Sequence, residues 1–72
     1  MPNVLILGSG GHARVVLDAI RAAGMLNPVG FLDDRRQAGS RVDGLAVLGP
    51  ISDFGEISAQ WNVSRAVVAV GD

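Results

Sequence analysis

The sequence predicts an α/β fold, an open parallel sheet with flanking helices. Three observations carry this. Apolar runs that do not alternate recur along the chain, as in Val4-Leu5-Ile6-Leu7 and Ala66-Val67-Val68-Ala69-Val70. A strand buried on both faces reads this way, and such strands belong to parallel sheets. Between the first two runs lies a stretch with helical periodicity. The order β–α–β is complete by residue 33, the size of one right-handed crossover unit.

The first run ends in Gly8-Ser9-Gly10-Gly11. Three glycines in four residues suit neither a helix nor a strand interior, so a tight turn is expected here. A helix is expected from His12 to Ala23. Arg14, Asp18 and Arg21 fall on one face; Val16, Ala19, Ile20 and Ala23 fall opposite, toward the sheet. Gly24 is the expected C-cap, and Pro28 closes the connection. Val29-Gly30-Phe31-Leu32 is the second strand, ended by Asp33-Asp34. Gln37 to Gly44 is polar and reads as loop. Leu45–Leu48 reads as a short edge strand and Gly49-Pro50 as a break. Asp53 followed by Glu56 resembles a capping box and opens a second helix that Gly55 weakens. Trp61 is expected to cover that helix's end. Ala66–Val70 is the last strand, and Gly71-Asp72 ends the chain.

The chain has 72 residues, about half of a usual domain. A chain this short buries roughly 60% of its unfolded surface and is marginal alone. With no Cys, neither a disulfide framework nor a thiolate metal site makes up the deficit, and a single His excludes a His-rich metal cluster. Yet 49% of the residues are hydrophobic and 18% charged, the composition of a chain that packs. One domain, residues 1–72, is expected, as one piece of a larger protein. Six Arg against seven acids leave a net charge of −1, with no basic excess for nucleic acid or an anionic membrane. The run Val4–Leu7 is too short for a signal sequence or a membrane span. The expectation is a soluble cytoplasmic protein.

Parallel strands point their carboxyl ends one way, and ligands bind outside those ends where the strand order reverses. If the first strand is central, the turns Gly8–His12, Asp33–Asp34 and Gly71–Asp72 converge on one crevice. Gly10 and Gly11 let backbone N–H groups approach a phosphate, and the helix behind them adds unsatisfied donors and a positive dipole end. The alternative is that a strand-to-helix turn simply favours Gly. His12, expected on the sheet-facing side of the first helical turn, donates to a phosphate or sugar oxygen, or else only caps or packs. Asp33 and Asp34 stand where an acid holds ribose hydroxyls; the alternative is a solvated turn beside Arg35 and Arg36. Gly8-Ser9-Gly10-Gly11-His12-Ala13 also fits G-x-G-x-x-G/A, with Asp33 20 residues after Ala13, the spacing of a dinucleotide-binding fingerprint. A dinucleotide, however, needs two such halves. An NAD(P)-binding half-domain of an oxidoreductase and a non-catalytic regulatory or interaction module therefore remain as alternatives.

Taken together, Val4–Ala13, Val16-Leu17-Asp18, Gly30–Asp34, Val42–Gly49 and Ala66–Asp72 resemble the N-terminal domain of NeuD/PglD-like bacterial sugar acetyltransferases of sialic acid and bacillosamine pathways. The resemblance spans essentially the whole chain. It implies a small Rossmann-like domain that binds a nucleotide sugar, typically a UDP-sugar. It sets Gly10, Gly11 and His12 against the diphosphate and sugar, Asp33 and Asp34 near the nucleoside, and Gly71 at the crevice floor. It also implies a parent enzyme that continues into a left-handed β-helix of hexapeptide repeats. That domain would trimerise, bind acetyl-CoA and carry the catalytic His. His12 is not that residue. No catalytic residue, cofactor or metal is expected in these 72 residues themselves.

Overall fold

Five strands and two α-helices follow in the order β-α-β-β-β-α-β along residues 1–69, the part of the chain that the computed structural model describes. Strand β1 (Asn3–Leu7) lies inside the sheet, between β2 (Asn27–Leu32) and β5 (Val63–Val68), and runs parallel to both. Strand β4 (Leu45–Gly49) pairs parallel with β2, and the two-residue β3 (Arg41–Val42) pairs antiparallel with β4. The order across the sheet is β3-β4-β2-β1-β5.

Burial on both faces explains the unbroken apolar run of β1. Val4 and Ile6 pack with Ala13, Leu17 and Ile20 of helix α1 (Gly11–Ala23). Leu5 points the other way, to Leu32 and to Ile57 of helix α2 (Phe54–Gln60). Alternate residues thus face opposite layers, and both layers are apolar. Helix α1 ends as expected at Gly24, whose left-handed φ of 68° lets its N–H reach the Ile20 carbonyl at 3.2 Å. No helix among the described residues is long and apolar enough to cross a membrane.

The structure corrects several expectations. The buried stripe of α1 is Ala13, Leu17 and Ile20, with Val16 half-buried; Ala19 and Ala23 are exposed. The helix turns its largest aliphatic side chain, Leu17, fully into the core, and burying a leucine outweighs burying two alanines. Pro28 lies inside β2 opposite Val4, not in the connection. It lacks an N–H for the ladder, and the register slips there, with Leu5 opposite Gly30.

Residues 37–44 are not all loop. Asp43 and Gly44, with φ of 51° and 82°, turn β3 back onto β4 as a two-residue hairpin. Strand β4 is therefore internal to the sheet rather than an edge. Asp53 makes no side-chain cap to α2, because a single 3₁₀ turn, Ile51–Asp53, already leads into the helix. Strand β5 starts at Val63, three residues before the expected start at Ala66, and as an edge strand it is mostly exposed rather than buried on both faces; Val70 lies outside the described residues. Trp61 occupies the C-cap position of α2 and is 45% exposed. Its carbonyl accepts a hydrogen bond from the Asn3 side chain at 2.8 Å, tying the end of α2 to the start of β1.

Candidate functional site at the carboxyl ends of the strands

Strand β1 is followed by a helix that crosses to β2 on one side, and the chain later returns to β5 on the other. The strand order therefore reverses between β1 and β5, the place where open α/β sheets form a crevice. A cleft of about 760 Å³ opens at this end of the sheet. Gly8–His12 of the first turn and Asp33–Arg36 of the second line it, with Ile51 after β4 and Ala69 after β5. The convergence expected of three turns is observed for two of them. Gly71 lies outside the described residues. Ala69 brings the end of β5 to the cleft, and its N–H donates to the Leu7 carbonyl at 2.8 Å.

Gly8 makes the turn. Its φ of 103° is open to glycine, and its N–H donates to the Leu32 carbonyl at 2.8 Å, pinning the turn to the end of β2. Gly10 and Gly11 differ. Gly10 has ordinary extended torsions, and a β-carbon built at either position meets nothing within 4 Å. The fold has no steric need of glycine at these two positions. What their lack of a side chain leaves open is the wall of the cleft. Helix α1 begins here with no side-chain cap and no acid in its first turn. Among the described residues, the N–H groups of Gly10, Gly11 and His12 meet no acceptor. The three residues that carry these donors, at the positive end of a 13-residue helix, line the cleft.

His12 is exposed rather than sheet-facing. Ala13 takes the position against the sheet, since it falls in the stripe with Leu17 and Ile20. His12 still lines the cleft.

The two acids have distinct surroundings. Asp33 is held by the protein. Its Oδ2 accepts the Ser9 N–H at 2.7 Å and the Ser9 hydroxyl at 2.6 Å, and its Oδ1 accepts the Arg35 N–H at 2.7 Å. The Ser9 hydroxyl is the main cause that holds the Asp33 carboxyl below its ordinary value; partial burial opposes it, and the backbone N–H groups of Arg35, Ser9 and Arg36 reinforce it. Asp34 Oδ1 accepts the Ile51 N–H at 2.9 Å. Among the described residues, Asp34 Oδ2 has no protein donor.

Ser9, Arg35, Arg36 and Ile51 also line the cleft, beyond the residues the sequence assigns to a site. Ser9 is fully buried. Arg35 and Arg36 are exposed, and among the described residues their side chains make no hydrogen bond or ion pair, whereas Arg14, Arg21 and Arg41 each have one. The adjacency Asp33-Asp34-Arg35-Arg36 was a usable signal: a turn at a strand's carboxyl end puts all four beside the first glycine turn. The arrangement suits an anion with hydroxyl groups attached, since it offers backbone donors, two guanidinium groups and one open carboxylate oxygen. Among the described residues, no group of three or more His, Asp or Glu side chains is placed to hold a metal ion.

Two crystal structures of point mutants of a perosamine N-acetyltransferase from Caulobacter crescentus, both in complex with CoA and GDP-perosamine, resemble this chain. Each is 33% identical over 100% of this chain, with a TM-score of 0.80. The chain spans about a third of their length, 32%. No curated protein sequence matches it significantly. The sequence profile of the PglD N-terminal domain matches residues 3–72, nearly the whole chain. The chain therefore belongs to the PglD N-terminal domain family.

Proposed function

We propose that this chain is the nucleotide-sugar-binding domain of an acetyl-CoA-dependent sugar N- or O-acetyltransferase. The observation that carries the reading is the cleft of about 760 Å³ at the strand ends, lined by the glycine turn Gly8–His12 and by Asp33–Arg36. That volume is within the range of about 300–1,000 Å³ typical of small-molecule sites. Gly10 and Gly11 receive the diphosphate along their backbone. His12 donates to a phosphate or sugar oxygen from the open side. Asp34 offers its Oδ2 to a nucleoside hydroxyl.

In this reading the domain contributes binding and orientation. Holding a substrate by its nucleotide fixes where the sugar amine or hydroxyl lies relative to a distant acyl donor, and such positioning accounts for much of the rate in group transfer. Acetyl-CoA belongs to the rest of the parent enzyme, a cytoplasmic homotrimer, and no residue of this chain is assigned to it. The resemblance in sequence favours a UDP-sugar, while the structural relative was solved with GDP-perosamine. The base is therefore the part of the ligand to be measured first. The dinucleotide reading loses support from Asp33, whose carboxylate is taken up by Ser9 and Arg35 rather than left for a ribose.

The test is calorimetric titration of the chain with UDP-N-acetylglucosamine, GDP-mannose and NAD. Binding of either nucleotide sugar in preference to NAD is expected. Preference for NAD, or no binding by a folded sample, overturns the proposal.

A further inference from the structure

We infer that Ser9 and Asp33 form a positioning pair that sets the spacing of the two cleft turns, Asp33 acting through Ser9 and not on the ligand. The inference rests on the nucleotide-sugar reading for its consequence in binding, but its geometry stands without it.

Three observations support it. First, Asp33 has little left to offer. An ionised carboxylate has about four acceptor sites. Ser9 N–H and Oγ take Oδ2, at 2.7 and 2.6 Å, and Arg35 N–H takes Oδ1 at 2.7 Å. Second, Ser9 is the one buried polar residue of the described chain and is fully buried. A buried hydroxyl without a partner is costly, so its hydrogen bond to Asp33 is a condition of the turn's position. Third, the pair joins the two segments that line the cleft. Ser9 sits between Gly8, which makes the turn, and Gly10, which opens α1; Asp33 sits two residues before Arg35. One carboxylate therefore fixes the first glycine turn against the Arg35-Arg36 turn. A second tie, from Gly8 N–H to the Leu32 carbonyl, runs along the same seam.

The chemical consequence concerns charge. A free carboxylate at Asp33 would repel a diphosphate. The carboxylate stays ionised, but three donor dipoles point at it and partly offset its field, and its oxygens are turned to Ser9 and Arg35 N–H. The other charged or titratable side chains of this cleft are His12, Asp34, Arg35 and Arg36. None of them hydrogen-bonds to the Asp33 carboxylate through its side chain.

The experiment combines a carboxyl titration with a double-mutant cycle. The Asp33 carboxyl is followed by carbon NMR in the full chain and in Ser9→Ala. Its midpoint is expected to rise in the variant; an unchanged midpoint overturns the pair. UDP-N-acetylglucosamine and GDP-mannose are then titrated at neutral pH into the unsubstituted chain, Ser9→Ala, Asp33→Asn and the double variant. A positioning pair predicts that each single variant weakens binding by a similar factor, roughly tenfold, and that the double variant is no weaker than either. A contact role for Asp33 predicts instead that Asp33→Asn loses affinity while Ser9→Ala keeps it, and that result overturns the inference. A shifted carboxyl midpoint in a chain that binds neither nucleotide sugar refutes the functional reading and the pair's role in binding. An unshifted midpoint in a chain that binds refutes the pair alone.

Discussion

Asp34 Oδ1 accepts the backbone N–H of Ile51 at 2.9 Å, tying the turn after β2 to the first residue of the 3₁₀ turn after β4. The bond does for Ile51 what a side-chain cap does at a helix N-terminus, since Pro50 at the cap position supplies none. Asp34→Ala is expected to cost about 1 kcal/mol of folding stability. Asp34→Asn keeps an acceptor for Ile51 and is expected to fold nearly as well. If Asp34 Oδ2 also holds a nucleoside hydroxyl, both variants weaken nucleotide-sugar binding. Urea unfolding together with calorimetric titration separates the two roles. Equal stability losses in both variants count against the cap assignment.

Two glycines are expected to respond oppositely to substitution. A β-carbon at Gly30 would stand 2.5 Å from Leu48 Cδ1 and 3.1 Å from the Ala46 carbonyl oxygen. Gly30→Ala therefore forces β2 and β4 apart in the core, with an expected cost of about 1–3 kcal/mol. A β-carbon at Gly10 meets nothing within 4 Å, so Gly10→Val starts from open space. Its expected folding cost is about 1 kcal/mol or less, from the poor capping tendency of valine. Its side chain stands in the path of an approaching phosphate, and loss of nucleotide-sugar binding is expected. Unchanged affinity in a folded Gly10→Val sample would remove the glycine turn from the site.

Acid stability is expected to depend on Asp33. Hydrogen bonds from Ser9 and from backbone N–H groups hold its carboxyl below the ordinary value in the folded chain. A carboxyl depressed in this way binds fewer protons folded than unfolded. Its stabilisation is fully present above the unfolded value of about 3.9 and is lost as pH falls through the folded value. The stability difference between the unsubstituted chain and Asp33→Asn is therefore expected to be constant from about pH 7 to pH 5 and to shrink below about pH 4. Denaturant midpoints across that range provide the check. A difference that stays the same down to pH 2.5 rejects the assignment.

The core layers were legible because burial on both faces leaves a direct trace, the unbroken runs of β1 and β2. The glycine turn was legible because three glycines in four residues have few other uses. The stripe of α1 was misplaced because alanines qualify for either face, and only packing against β1 decides that Leu17 rather than Ala19 is central. The hairpin at Asp43-Gly44 was present as an Asp-Gly pair, but it joins a strand of only two residues, too short to show any period. Asp33 lines the cleft at the end of β2, where the sequence expects it. Its tie to Ser9 spans 24 residues of sequence, and no local pattern announces such a contact. His12 was placed correctly beside the cleft and on the wrong side of the helix, a consequence of the same misplaced stripe.

Arg35 and Arg36 are expected to make ligand binding depend on salt. Both residues line the cleft, and among the described residues neither has an ion-pair partner. Both are exposed, so their attraction for a diphosphate is screened over about 10 Å at 0.1 M salt. Nucleotide-sugar affinity in the unsubstituted chain should therefore fall as salt rises from 20 to 500 mM, by roughly tenfold. Arg35→Ala and Arg36→Ala should each weaken binding at low salt by about threefold to tenfold and flatten the salt dependence. Folding stability should change by less than about 0.5 kcal/mol in either variant, as for other exposed side chains without partners. The backbone N–H groups of the glycine turn remain in both, so residual binding with a shallower salt slope is the expected signature of the double variant. An unaltered slope in the double variant would assign the diphosphate to the glycine turn and α1 alone.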